Sequence, residues 1–148
     1  MYEKEWRLFE AFLRERGQKV TSRRREVLEA IFATHQHVTV EELMARLKEK
    51  GRQASRATVY RTLELMEQAD LVKKMDIGDG VAVYEHTYGH AHHDHLICLS
   101  CRRIIEFENE TIEREQEHVC RRAHFTPTMH VHQIFGYCKQ CRKKGRRR

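Results

Sequence analysis

Residues 90–101 read HAHHDHLICLSC, which places four histidines, one aspartate and two cysteines within twelve positions. Imidazole and thiolate are the usual ligands of zinc, and imidazole with carboxylate also suits iron and manganese. A histidine-rich tract alone is a compositional signal, so its meaning depends on partners elsewhere in the chain. Cys98 and Cys101 form one CxxC, CLSC, and Cys138 and Cys141 form another, CKQC. A CxxC turns two thiolates toward one ion, and two pairs complete a tetrahedral S4 site. One such pair could instead be redox-active; two pairs at strand ends more often hold structural zinc. Between the pairs lie 36 residues, more than in a compact zinc ribbon, so a helix and strands must lie between them. Cys120, beside Val119 and Ala123, is left over and reads as a packing thiol.

If residues 92–95 are extended, side chains alternate in direction. His93 and His95 then point one way and His92 and Asp94 the other, so one tract could feed two metal sites. Carboxylates and a further imidazole stand on neighbouring elements: Glu85 at the end of a strand, Glu106 on the strand after the first CxxC, Glu113 early in a helix, and His130 on the last strand. On the Glu106 strand, Ile105 and Phe107 are expected to face the core. His132 alternates in phase with His130 and stays undecided. His35, His86, His90, His118 and His124 read as solvated or hydrogen-bonded side chains.

The elements that must hold these residues follow from periodicity. Residues 3–15 read as an amphipathic helix through Trp6, Phe9 and Leu13, closed by Gly17. Thr21 caps a second helix carrying Val27, Leu28 and Ile31. Thr39 with Glu42 forms a capping box that opens a third helix, with Leu43 and Leu47, stopping at Gly51. Ser55 caps a fourth, RATVYRTLELMEQAD. The period then changes: LVKKMDI and VAVYEH, joined by GDG, read as a hairpin. Helices followed by a hairpin suggest a winged helix-turn-helix over residues 1–85. After a hinge at 86–91, the strands DHLIC and RIIEFE, the helix NETIEREQEHVCRRA and the strand MHVHQIFGYC make a small α/β domain over 92–141. A basic tail, 142–148, ends the chain. The fold class is α+β.

On the fourth helix, Val59, Leu63 and Met66 share one face, with Ala57, Tyr60, Arg61 and Glu64 roughly opposite. Arginine can hold phosphate or guanine, and tyrosine can touch a thymine methyl or a phosphate. Alone, this is an ordinary amphipathic helix. With the preceding helices, the wing and a net charge of +6 in 148 residues, it reads as a DNA-recognition helix. Lys19, Arg23, Arg24 and Arg25 cluster where backbone contacts are natural. The tail RKKGRRR adds at most non-specific phosphate attraction. No run approaches the ~18 apolar residues of a membrane span, and MYEKEWRLFEAF has no signal-peptide core; a cytoplasmic protein is expected. Five cysteines in a reducing compartment favour metal or free thiols over disulfides.

Taken together, HHDHLIC, the two CxxC pairs, ATVYR in the fourth helix and the following IEFE resemble the ferric uptake regulator family of bacterial metal-responsive repressors, over about residues 17–141. The resemblance implies a winged-helix DNA-binding domain joined by a hinge to an α/β dimerisation domain. It implies that Cys98, Cys101, Cys138 and Cys141 hold structural zinc. It implies a sensor site of His37, Glu85, His93, His95 and Glu106, and an additional site of His92, Asp94, Glu113 and His130. Tyr60 and Arg61 match DNA-contacting positions, and Lys19 matches a basic residue near the minor groove. The chain departs from the family in its tail, which is arginine- and lysine-rich rather than histidine-rich, and in the extra potential ligand His132.

Three imidazoles and two carboxylates suit Fe2+, Mn2+ or Zn2+, with raw affinity favouring zinc over iron. Peroxide-sensing relatives tend to carry aspartate where this chain has Glu85 and Glu106, and zinc-sensing relatives commonly recruit a sensor-site cysteine. Iron is therefore expected as the regulatory metal, with a peroxide, manganese or zinc response as the alternative. The function expected is a repressor that binds palindromic operator DNA as a homodimer when its sensor site is metallated. A constitutive zinc-containing DNA-binding protein is the rival reading. An enzyme is not expected: there is no HExxH and no deaminase H-x-E with P-C-x-x-C.

Overall fold

The computed structural model describes residues 2–89 and 92–143, so His90 and Ala91 of the expected hinge, and residues 144–148 of the tail, lie outside the described residues. The chain divides into two compact units, residues 1–90 and 91–148.

The first unit holds four helices and a hairpin. Helix α1 spans Glu3–Glu15, α2 Ser22–Phe32, α3 Val40–Glu49 and α4 Arg56–Gln68. Three of them begin at a side-chain cap that satisfies orphan backbone donors. Thr21 accepts from the Arg24 N–H and Ser55 from the Thr58 N–H. At α3 the box is reciprocal: Thr39 Oγ1 accepts from the Glu42 N–H at 3.2 Å, and Glu42 accepts from the Thr39 N–H at 2.8 Å. Apolar residues at helical spacing converge on one core that includes Phe9, Leu28, Ile31, Leu43, Val59, Leu63 and Met66. Strands β1, Val72–Asp76, and β2, Ala82–His86, pair antiparallel from Val72↔His86 to Asp76↔Ala82. Asp79 and Gly80 take positive φ in the turn between them. An isolated bridge joins Val38 to Tyr84 by two backbone hydrogen bonds, at 2.9 and 2.8 Å. It places His37, ahead of α3, beside the end of β2. His86 stacks on Phe32 with ring centroids 4.8 Å apart.

The second unit is a three-stranded sheet of order β4-β3-β5 with two helices. Strand β3 is Asp94–Cys98, β4 Ile104–Phe107 and β5 Gln133–Gly136; helix α5 is Glu110–Arg122 and α6 Lys139–Lys143. The β3–β4 pair is antiparallel and the β3–β5 pair parallel. Asn109 caps α5 by accepting from the Thr111 and Ile112 N–H groups.

Three expectations from sequence are revised here. The last strand is shorter: β5 begins at Gln133, and 129–132 precede it, because β3 offers partners only from His95 to Cys98. The strand also ends at Gly136, two residues before its expected end at Cys138, and a short helix, α6, follows through the rest of the second CxxC. Ile105 does not face a core. It is 44% exposed, its cross-strand neighbour Leu96 is 37% exposed, and Ile134 beyond Leu96 is 46% exposed. These three side chains form one open apolar face, and α5 buries none of its own residues despite its amphipathic pattern. Alternation put Ile105 on an apolar face correctly, but among the described residues no second layer covers that face.

Candidate metal centres and nucleic-acid face

The four paired cysteines converge. Their sulfurs all lie within 4.8 Å of one another, and Cys101 Sγ stands 3.8 Å from Cys138 Sγ. Four thiolates at ~2.3 Å from a tetrahedral zinc stand about 3.8 Å apart, so the spacing fits that ion. The backbone builds the cluster. After Cys98 ends β3, Arg102 takes φ 58° and its N–H donates back to the Cys98 carbonyl, turning Cys101 onto Cys98. The parallel β3–β5 pairing delivers Cys138, whose N–H donates to Cys98 Sγ at 3.3 Å. That bond, with the Cys101 N–H, pulls the Cys98 thiol down to about 6. The Cys141 N–H is the main cause that lowers Cys138. At Cys141 a hydrogen bond with Ser100 acts downward, but sharing with the Cys138 and Cys101 sulfurs, and burial, outweigh it and push the thiol up to about 11. The opposed shifts arise from sulfurs crowded closely enough to share hydrogen bonds, and a divalent cation bound among them would favour their ionised forms. Cys120 stands apart, half-buried on α5.

His92, Asp94, Glu113 and His130 form a second convergent set within the same unit. His92 Nε2 lies 3.3 Å from Asp94 Oδ1 and 3.6 Å from Glu113 Oε1; His130 Nε2 lies 3.7 and 3.4 Å from the same two oxygens. Tetrahedral N and O ligands at ~2.0–2.1 Å stand about 3.3 Å apart, close to these edges. Asp94 is 2% exposed, and both its Oδ1 and His130 Nε2 are buried without a hydrogen bond. A buried carboxylate oxygen in that state is costly unless a cation meets it. The residues therefore fit a bound divalent metal. His92 and His93 precede β3 rather than lying in it, while the opposite directions expected for Asp94 and His95 follow from the strand.

The remaining predicted ligands fall in two groups, one in each unit. In the first unit, His37 Nε2 lies 2.9 Å from Glu85 Oε2, both side chains almost buried, held there by the Val38–Tyr84 bridge. In the second unit, the His93 and His95 rings meet edge to face at 4.9 Å, and Glu106, across from His95 on β4, puts Oε1 3.9 Å from His93 Nε2.

On α4, Val59, Leu63 and Met66 are fully buried and Tyr60 is 44% exposed. Ala57, Arg61 and Glu64 are exposed beside it, as the helical wheel predicts, and Lys19 is exposed ahead of α2. The structure sorts the basic cluster that follows Lys19. Arg23 pairs with Glu26 at 3.0 Å, and Arg25 is tied to Glu3 at 2.7 Å and Glu29 at 3.2 Å, so both are engaged in the fold. Arg24 instead donates to the Lys19 carbonyl at 2.6 Å, and its pKa is lowered by burial and then by the nearby charge of Arg61. Arg24 and Arg61 thus bring two positive charges close together, which a polyanion would relieve. Sequence reasoning did not single out Arg24 from its neighbours; the absence of an acidic residue three or four positions away was the available signal.

The ferric uptake regulator family model matches residues 15–135. The chain is 39% identical over 138 residues to the ferric uptake regulation protein of Campylobacter upsaliensis, covering 92% of this chain and 88% of that one. It superposes on the Helicobacter pylori ferric uptake regulator, whose structure is described as revealing three functional metal binding sites. The TM-score is 0.78, at 28% identity, over 90% of this chain and 93% of the other. It also matches the iron-containing regulator of Francisella tularensis with a TM-score of 0.75 and 31% identity, over 85% and 96%. With its winged helix, its S4 cluster and its imidazole–carboxylate sets, the chain belongs to the ferric uptake regulator family of metal-responsive transcriptional regulators.

Proposed function

We propose that this chain is an iron-responsive repressor that binds a two-fold operator as a homodimer. The observation that carries the reading is the division of donor types. The sulfur donors close on themselves in one unit, whereas imidazole and carboxylate donors stand ready in both units: His37 with Glu85 in one, His93, His95 and Glu106 in the other. One ion shared by these five would join the DNA-binding unit to the rest of the protein. Metal that prefers the joined arrangement shifts the population toward the DNA-competent state, and by linkage the operator tightens metal. The S4 set holds zinc as a structural ion, and His92, Asp94, Glu113 and His130 hold an additional ion. Lys19, Tyr60 and Arg61 contact DNA. Residues 1–85 act as the DNA-binding domain, 86–91 as the hinge, 92–141 as the dimerisation domain and 142–148 as a phosphate-attracting tail. Among the described residues no helix is long and apolar enough to cross a membrane, and the reading places the protein in the cytoplasm with no catalytic step.

The test is operator binding with zinc retained, using a two-fold duplex selected from random sequence and titrated anaerobically with Fe2+, then with Mn2+ and Zn2+. Affinity should rise about 5- to 150-fold with Fe2+. Equal affinity with and without metal would identify a constitutive DNA-binding protein, and a response to Mn2+ or Zn2+ alone would reassign the metal. Arg61→Ala should lower the salt slope of binding by about one.

The dimer reading rests on the open face of Leu96, Ile105 and Ile134 and on the unburied helix α5. Apolar patches of this kind mark interfaces, and a second copy offers the same self-complementary face. Ile105→Asp should convert the dimer to a monomer in sedimentation equilibrium at micromolar concentration while the cysteine-bound zinc is retained. A variant that stays dimeric places the interface elsewhere.

A further inference from the structure

His132 is the residue by which this chain exceeds its expected ligand sets, and its position gives it a different task. Its Nδ1 lies 3.2 Å from Asp94 Oδ2, the oxygen turned away from His92 and His130, while Oδ1 faces those two rings. An ionised carboxylate only accepts, so Nδ1 carries the proton and donates. The imidazole is itself held. Its ring meets Phe107 edge to face at 5.8 Å, and its carbonyl accepts the His95 N–H at 3.3 Å, fixing the backbone against β3. The donor atoms of His92, Asp94, Glu113 and His130 form the convergent set, and His132 stands behind Asp94 outside it.

We propose that His132 is a positioning residue for the additional metal site: by occupying Asp94 Oδ2 it confines Asp94 to one-oxygen ligation through Oδ1, and so biases the site toward four-coordinate zinc over six-coordinate manganese or iron. The inference rests on reading that set as a metal site. A carboxylate with both oxygens available can chelate through two, adding a donor and accommodating ions of higher coordination number. A hydrogen bond to the outer oxygen removes that option and fixes the plane of the carboxylate, as outer partners of metal ligands do. Asp94 is nearly inaccessible to solvent, so no water can readily replace the His132 donor.

The experiment uses the full chain with zinc kept in the cysteine site. The parent carries His93→Ala, which silences the proposed sensing set. Zinc and manganese affinities are measured by competition with chelators, and visible spectra are recorded with Co2+, whose bands are intense when tetrahedral and weak when octahedral. His132→Leu should lower the ratio of zinc to manganese affinity by about tenfold and weaken the cobalt bands. His132→Asn puts an amide N–H near the place of Nδ1 and should restore both. His132→Gln, whose amide falls near Nε2 instead, should not. An unchanged ratio and spectrum in the leucine variant overturn the positioning role while leaving the metal site intact. Loss of all binding in both the leucine and asparagine variants makes His132 a ligand and also overturns it. A parent that binds no cobalt overturns the metal-site reading and this inference with it.

Discussion

Alanine at position 98 is expected to cost the protein its zinc, its dimer and most of its thermal stability. Cys98 ends the central strand of the second unit, is almost fully buried, and receives the Cys138 N–H. The helix α5 buries nothing, so the sheet and the sulfur cluster are the main means by which this unit holds together. A closed S4 zinc site contributes its binding free energy to folding, about 10–16 kcal/mol in small zinc domains, against a net stability of about 5–15 kcal/mol for a whole protein. Losing one thiolate of four leaves the other three to repel one another as they ionise. Zinc at the cysteine site should fall from one per chain to near zero, sedimentation should show monomer, and the melting transition should drop by more than ten degrees or lose cooperativity (~4–8 °C per kcal/mol for a domain of under 100 residues). A Cys98→Ala protein that keeps its zinc and its transition would show that the cluster is not what stabilises this unit.

His93→Ala should behave in the opposite way, keeping the fold, the dimer and the cysteine-bound zinc but losing metal-dependent DNA binding. His93 precedes β3, outside the hydrogen-bonded ladder, and its neighbours are His95 and Glu106 rather than the apolar core. Removing one of five proposed ligands weakens the ion without opening a cavity. If metal and operator are coupled by the usual ~1–3 kcal/mol, wild-type affinity for operator rises about 5- to 150-fold with Fe2+, and the variant should show the metal-free affinity at all concentrations up to about 100-fold above the wild-type midpoint. Anaerobic fluorescence anisotropy with labelled operator measures this directly. A normal iron response would remove His93 from the sensing role, and unfolding comparable to Cys98→Ala would erase the distinction between a structural and a sensing ion.

Much of the first unit was legible because its signals are local. Thr21, Thr39 and Ser55 each sit one residue ahead of an apolar-periodic run, and each caps the helix that follows. Each CxxC announces its own pair for the same reason, since two thiolates need only a tight turn, whereas the meeting of the two pairs rests on the β3–β5 pairing. What stayed hidden depends on distant pairing. His37 carries no local signal; it meets Glu85 because a single bridge joins Val38 to Tyr84. His132 was ambiguous between ligand and bystander, because alternation gives a side chain's direction but not which oxygen of Asp94 it reaches. Ile105 was misread because alternation tells a face from its opposite and cannot tell whether this chain or another covers it. The short helix α6 gives no sequence signal, because KQCRK is five residues long with no apolar periodicity.

The parallel pairing of β3 with β5 carries a kinetic consequence. Two strands that run the same way cannot be joined by a tight turn, and here β4 and α5 must both be traversed before Gln133 can find His95. Forming that contact early in folding means closing a long loop before any of its rewards arrive. Zinc held by Cys98 and Cys101 that captures Cys138 and Cys141 closes the same loop, which spans 36 residues between the pairs, and the entropy removed from the disordered chain is roughly 3–4 kcal/mol on a cross-link model. Metal that binds the unfolded cysteines would therefore act as a folding catalyst as well as a brace. Refolding from denaturant should run faster with stoichiometric zinc than with chelator, and the order of addition should matter: zinc supplied after the chain has collapsed must wait for the two ends to meet by chance.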